Sequence, residues 1–421
     1  MAWPSADWWR GFGSDPLDRY IAQAESANDD LAAAIARVRE ADAQARIAGA
    51  PLLPSIEGTG SVTHQRAATP RGKLATDTVY APGIAASYEI DFWGKNRAAL
   101  AAAEATATAS RYDRATVELS ILTGVATTYF TAIETRDRLV VAEDNLASAE
   151  EILRGLRLQE KVGTATALDV AQQETTVATL NAVIPPFREQ LRQTIDALAI
   201  LLGENPEALD ITSGTLGDFA FPAVAPGLPS ELLVRRPDVA AAEAQLQSAH
   251  ADITVARAAF FPSIQLTGSA GFASTALASA VNPANGIFSL AAGLTQPIFE
   301  GGALEGQLEL SKATYDELLA DYRKAVISAF GNVEDALVAI QQTADQALRQ
   351  EAATAAARRA YEIAQAQLHA GTINILTVLN TEAALFVAED ALVQARFARL
   401  QALVSLFSAL GGGWEQSEER T

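Results

Sequence analysis

The sequence predicts a mainly α-helical fold that also carries strands of the kind that build a membrane β-barrel, and the whole is one unit written twice. Three observations point there: a long-range repeat, an Ala-rich composition with helical spacing of Leu, and four short segments that alternate apolar with polar residues. The repeat is the most specific. Gly163-Thr164, followed by Leu168, Val170 and Glu174, returns 208 positions later as Gly371-Thr372, followed by Leu376, Val378 and Glu382. The same shift carries Pro54-Ser55-Ile56 and Thr59-Gly60-Ser61 onto Pro262-Ser263-Ile264 and Thr267-Gly268-Ser269, and Leu202-Gly203 onto Leu410-Gly411. No period of about 20–50 residues is visible, so a solenoid is excluded and a large duplicated unit is left.

Composition agrees with long packed helices. Of 421 residues 49% are hydrophobic, Ala leading, while aromatics make up only 7%. The formal charge of −20 argues against nucleic acid as a partner, because a phosphate-tracking surface needs an excess of Lys and Arg. Cys is absent, which rules out disulfides and thiolate metal sites within the chain. His64, His250 and His369 fit no metal-ligand spacing, and no phosphate loop, dinucleotide fingerprint or nucleophile elbow occurs. Nothing supports catalysis or a cofactor. The chain has no unbroken run of about eighteen apolar residues and no signal-peptide pattern at Met1-Ala2-Trp3-Pro4.

The elements follow in order. The first repeat spans residues 1–202, beginning with a helix from Asp15 to Ala48 that Asp15 and Pro16 start. Strands are expected at 54–66 and 80–92, a long helix at 96–161 and a return helix at 165–202. A Pro- and Gly-rich linker occupies 203–230. The second repeat, 231–410, has its first helix from Pro237-Asp238, strands at 262–273 and 286–299, a long helix at 303–370 and a return helix at 373–410; a loosely held tail at 411–421 closes the chain. Pro185-Pro186 should kink or break the first return helix. The long helices stop at Gly163 and Gly371, and Thr164 and Thr372 are candidate N-caps for the helices that follow. Leu139, Ala142, Leu146, Ala149, Leu153 and Leu156 form a coiled-coil seam. Each long helix reaches roughly 100 Å at 1.5 Å per residue.

The strands carry the membrane argument. Ile84, Ala86, Tyr88, Ile90 and Phe92 share one face, and Ala85, Ser87, Glu89 and Asp91 the other. Ile264, Leu266, Ala270 and Phe272, then Phe288, Leu290, Ala292 and Leu294, alternate in the same way. A tilted strand crosses a bilayer in about ten residues. Four strands are too few to close a pore, so several chains would have to share one barrel. The alternative from the residues alone is a sheet packed on a soluble core, within a soluble coiled-coil scaffold.

Taken in order, Trp8-Trp9, Phe12, Asp15-Pro16-Leu17, Ala36-Arg37-Val38, Asp91, Trp93-Gly94-Lys95, Arg97, Arg236-Pro237-Asp238-Val239, Ala242-Glu243, Phe261-Pro262-Ser263-Ile264 and Leu410-Gly411-Gly412-Gly413-Trp414 resemble the TolC-like outer-membrane efflux channels. The resemblance covers nearly the whole chain and is nearest the lipoprotein, NodT-like branch that serves resistance-nodulation-division pumps. It implies a homotrimer with a twelve-stranded barrel in outer-membrane lipid and a twelve-helix tunnel in the periplasm. The implied partners are a periplasmic adaptor (membrane-fusion) protein and an inner-membrane transporter, and the implied role is passive exit of drugs or other small toxic compounds. The duct of a type I protein secretion system uses the same scaffold. The branch begins with a lipidated Cys that this sequence lacks, so a lipid anchor is expected in the native precursor and not in this chain.

The resemblance also assigns candidate residues. Gly163, Thr164, Gly371 and Thr372 form the hairpin tips that an adaptor contacts. Leu168 and Leu376 either narrow the pore or sit in a helix seam. Asp169, Glu174 and Glu382 form an acidic ring at the entrance or are ordinary solvated helix positions. Related channels often carry an acid one turn after the narrowing Leu, where this chain has Asn380. Trp93 is an interfacial anchor or a core residue. Trp8, Trp9 and Trp414 are expected on the outside of the helical body.

Overall fold

The computed structural model describes residues 5–68, 70, 72, 74–211, 214–222 and 235–414. The duplication is visible in the element boundaries. Helix α3 spans Lys95–Lys161 and helix α6 spans Ala303–His369, each of 67 residues and starting 208 apart. The return helices α4 (Ala167–Leu201) and α7 (Ile375–Ala409) have 35 residues each, at the same offset. Before them lie α1 (Asp15–Ala27), α2 (Asp29–Gly49) and α5 (Pro237–Ala258).

The chain forms two compact units. One comprises Ala36–Tyr112 and Ala240–Ala325 and contains the whole sheet. The sheet is an antiparallel meander in chain order: β1 (Ser55–Ala68), β2 (Leu74–Glu89), β3 (Ser263–Phe272) and β4 (Gly286–Thr295). Its register sorts the side chains. Ile56, Ala86, Gly268 and Leu290 lie in one row across the four strands, and Gly58, Ile84, Ala270 and Phe288 in the next. Because successive residues point to opposite faces, these rows share one apolar side, and Ser87, Thr267, Ser269 and Ser289 share the polar side. The apolar side is uncovered: Phe288 and Leu290 are each 83% exposed. The outer edges of β1 and β4 have no strand partner among the described residues.

Several boundaries differ from expectation. β2 ends at Glu89, so Ile90, Asp91 and Phe92 are not strand residues. Asp91 does not face along a polar sheet surface; its carboxylate accepts the backbone N–H groups of Asn96 and Arg97, each at 3.0 Å, and caps α3. β4 stops at Thr295 rather than 299, where Pro297 cannot donate to a ladder.

The other unit comprises Met1–Ile35, Asp113–Val239 and Val326–Thr421. Its main core gathers Phe12, Leu17 and Ile21 with Val125, Phe130 and Ile133 of α3, Leu198 and Leu202 at the end of α4, and Leu400 and Phe407 of α7. Trp8 and Trp9 are buried in this core, with Trp8 stacked on Phe407 at 4.9 Å, and are not outside the helical body. Fully burying an aromatic outweighs any surface role. A stretch of α3 is long and apolar enough by composition to cross a membrane. Its Val125, Ala126, Phe130 and Ile133 are fully buried against other helices, which accounts for the apolarity without lipid.

The first helix is not continuous to Ala48. Asn28 leaves the helical region at ψ 127°, and its Oδ1 accepts the Leu31 N–H at 3.0 Å to start α2. Ser14, rather than Asp15, caps α1 through Oγ. Pro185 and Pro186 do not break α4, which runs through both. The carbonyls they leave unpaired belong to the exposed Asn181 and Ala182, where water can satisfy them. The expected linker is partly core: Leu209, Ile211, Leu216 and Phe219 are buried, and 223–230 lie outside the described residues. In the tail, Gly411 and Gly413 are buried against neighbouring backbone, while 415–421 lie outside the described residues.

Candidate functional site

Each helical hairpin turns at a glycine held at positive φ, 78° at Gly163 and 71° at Gly371. The N–H of Thr164 bonds the carbonyl of Gln159 and that of Thr372 bonds Gln367, both at 2.9 Å. This pattern closes a helix C-terminus by a Schellman turn, which glycine permits without strain. The hydroxyls of Thr164 and Thr372 donate back to the same two carbonyls, at 3.2 and 3.0 Å. They therefore finish α3 and α6 and do not cap the next helices. Those caps are Thr166 and Asn374, two residues on.

The two caps differ in chemistry. At the first, Thr166 and Asp169 form a reciprocal capping box, with Asp169 Oδ2 accepting the Thr166 N–H at 2.8 Å and the Thr166 hydroxyl at 2.7 Å. The Thr166 hydroxyl and then its backbone N–H hold the Asp169 carboxyl below its ordinary range. At the second, Asn374 Oδ1 accepts from Thr377 N at 3.2 Å and no charge is involved.

Leu168 and Leu376 stand at corresponding places in the first turns of α4 and α7, 66% and 46% exposed. Asn380 is exposed one turn after Leu376. Behind them Leu153, Leu156, Val170, Ala364, Ile375 and Val378 make a small core that joins all four helices. Ala142 and Ala149 are buried along the α3 seam, with Leu139 and Leu146 half-buried.

The three acids do not share one environment. Glu174 is half-exposed and pairs with Arg157 across the first hairpin at 2.7 Å. Asp169 serves the cap. Glu382, the counterpart of Glu174, is 0% exposed, so within this protomer its carboxyl faces packed helices rather than an opening. Burial pushes it up to about 7, opposed by the neighbouring Gln173 side chain. Neither Glu382 oxygen nor Gln173 Oε1 finds a hydrogen-bond partner among the described residues. Sequence reasoning missed Gln173 and Gln365. The signal was in the repeat: a shift of 208 puts Gln365 where the first hairpin has Arg157, and so removes the cation from Glu382.

In the other unit Trp93 is 40% exposed. Its ring stacks on Phe261 at 4.6 Å and its Nε1 donates to the Pro262 carbonyl at 2.7 Å. It joins the ends of β2 and β3 whatever else it touches.

A profile described as outer membrane efflux protein matches residues 20–204 and again 228–412, two equal spans offset by the same 208 positions. The chain belongs to that family. Outer membrane efflux proteins include the pyoverdine export outer membrane protein OpmQ of Pseudomonas aeruginosa, 42% identical over 420 residues that cover 98% of this chain and 88% of OpmQ. The cation efflux system protein CusC of Escherichia coli is 30% identical over 98% of this chain and 89% of its own length. Among solved structures, the Campylobacter jejuni CmeC outer membrane channel superposes with a TM-score of 0.93 at 26% identity, over 100% of this chain and 90% of that one. This outer membrane efflux protein is thus a TolC-like efflux channel of the bacterial outer membrane, with its strands in the membrane and its helical part in the periplasm. A soluble scaffold and a protein-secretion duct find no support in these relatives.

Proposed function

We propose that three copies of this chain form the exit duct of a tripartite pump of the resistance-nodulation-division type. The observation that carries the trimer is the sheet: four strands, an exposed apolar side, and two edges without strand partners among the described residues. An open edge of unpaired N–H and C=O groups is untenable in lipid, and only closure by further strands removes it. Three such sheets supply twelve strands. The hairpin ends at Gly163-Thr164 and Gly371-Thr372 contact a periplasmic adaptor, and Leu168, Asp169, Glu174, Leu376, Asn380 and Glu382 contribute to the entrance that an inner-membrane transporter feeds. Trp93 sits at the membrane boundary, and a lipid on the precursor adds a second anchor. The cargo is a small molecule: relatives are named for export of pyoverdine, toluene and cations, and the transporter makes the selection.

The test is conductance of the detergent-extracted protein in a planar bilayer. Discrete steps from a trimeric preparation are expected. A monomer soluble without detergent, with Phe288 and Leu290 protected from water, would overturn the reading.

A further inference from the structure

The second hairpin contains a carboxyl group that is wholly buried with neither oxygen hydrogen-bonded among the described residues. Glu382 lies on α7, wholly buried, beside Gln173 of α4 and Tyr361 of α6. From α4 it meets Gln173, whose Nε2 is committed to the Ala149 carbonyl of α3 at 2.8 Å. That commitment fixes which way the amide points and leaves Gln173 Oε1 as an acceptor without a donor. Both Glu382 oxygens are acceptors without donors as well. A proton on Glu382 lets one of its oxygens donate to Gln173 Oε1, so that one of the three buried acceptors rather than all three is left without a partner.

Among the described residues no cation pairs with Glu382. On α6 the charged position of the first hairpin is Gln365, and its Nε2 donates to the Tyr361 hydroxyl at 2.7 Å. Tyr361 is the titratable group facing Glu382 from α6, and Glu151 of α3 acts on the same tyrosine. Burial first, and then Glu382 and Glu151, push Tyr361 up to about 12, so it stays neutral. Arg157 is held by Glu174 at 2.7 Å and Arg358 by Glu389 at 2.6 Å. Leaving a charge buried without a partner is costly, and the alternatives are to take up a proton or to open the packing.

We propose that Glu382 is a proton-dependent latch, its acid form bonding α7 to Gln173 of α4, and that loss of the proton loosens the second hairpin while the first stays packed. This deepens the reading of the hairpin ends as the entrance, on which its meaning for transport rests. The direction follows from linkage. A carboxyl raised from its ordinary value of 4.5 to about 7 means the packed state holds more protons than the loosened one. Packing is then fully favoured below the ordinary value, weakens as pH rises from there towards 7, and is weakest above it. A periplasm at mildly acid pH keeps the latch closed; one near or above neutrality releases it.

The experiment is hydrogen exchange by mass spectrometry on the detergent-solubilised full chain between pH 5 and 8.5, corrected for intrinsic exchange. Protection over residues 373–385 is expected to fall by on the order of tenfold across the range, whereas residues 165–177 hold theirs. Glu382→Gln keeps the shape and cannot ionise, so its protection should be flat with pH and equal to the wild type at pH 5. Gln365→Arg restores the cation of the first hairpin and should also flatten the dependence. Equal pH dependence in wild type and Glu382→Gln, or none in the wild type, overturns the latch. Conductance is read on the same samples: loosening without a change in conductance leaves the latch standing and tells against the duct reading instead.

Discussion

Asn28 and Arg236, 208 residues apart, make the same contact in the two halves. Asn28 Nδ2 donates to the Leu201 carbonyl at 2.8 Å, and Arg236 Nη1 donates to the Ala409 carbonyl at 3.1 Å. Each satisfies a carbonyl at the C-terminus of a return helix, where the helix itself offers no partner. The two halves thus share the backbone arrangement and differ in the side chain that serves it: an amide in one and a guanidinium in the other. Arg236 adds a two-point pair with Asp238, at 3.0 and 2.7 Å, on the first turn of α5. Arg236→Ala is expected to cost about 2–3 kcal/mol, since it strands a buried carbonyl and a carboxylate together. Arg236→Lys should recover less than half of that, because an ammonium cannot bridge two acceptors in a plane. Denaturant midpoints of the two variants check this.

Just beyond each contact the chain turns at a glycine that no other residue can replace. A Cβ on Gly203 would stand 2.2 Å from the Ala27 carbonyl oxygen, and one on Gly411 2.1 Å from that of Arg235. Both have positive φ, 67° and 81°. Gly301 shares the conformation at 64° but has nothing within 4 Å. Gly301→Ala should therefore show only the backbone strain, about 1 kcal/mol. Gly203→Ala and Gly411→Ala should lose at least about 3 kcal/mol each, because backbone must move. Thermal unfolding of the three variants separates strain from collision.

These features explain what the sequence could and could not disclose. The glycine stops, the alternation along Phe288-Ser289-Leu290 and the shift of 208 are local or periodic, so they stand in the letters themselves. The break at Asn28 is not, since Asn28 is held by Leu201 far along the chain. Nor is the survival of α4 through Pro185-Pro186, which depends on the exposed side of that turn. At the candidate site the tips and caps were readable within two residues. The burial of Glu382 was not, because it needs other helices brought against α7, and Glu174 in the same sequence setting is half-exposed.

The sheet edges give a test of assembly that the absence of Cys makes clean. Cys placed on the polar side at Ser61 of β1 and, in turn, at Ser289 or Ala291 of β4 should be joined by a short bifunctional thiol reagent into dimers and trimers. The same reagent should give monomers only when either Cys is present alone. Ser61 has its partner Ala81 in β2 on its inner side, so an intramolecular link to β4 would have to span two intervening strands, roughly 14 Å at 4.8 Å per step. A reagent shorter than that cannot report it.

The two hairpins should answer to pH in opposite senses. Asp169 is held below the ordinary carboxylate range by the Thr166 hydroxyl and then its backbone N–H. Its cap is therefore intact above that range and fails as pH falls through its lowered value. Glu382 runs the other way, as a raised acid. Between these limits, in mildly acid solution, both ends are closed together. Asp169→Asn should remove the acid limb, so that exchange at residues 165–170 no longer rises as pH falls below the ordinary carboxylate range. It should leave exchange at 373–385 untouched, because the two caps share no hydrogen bond. Acid fraying that persists unchanged in Asp169→Asn would place its origin elsewhere in the hairpin.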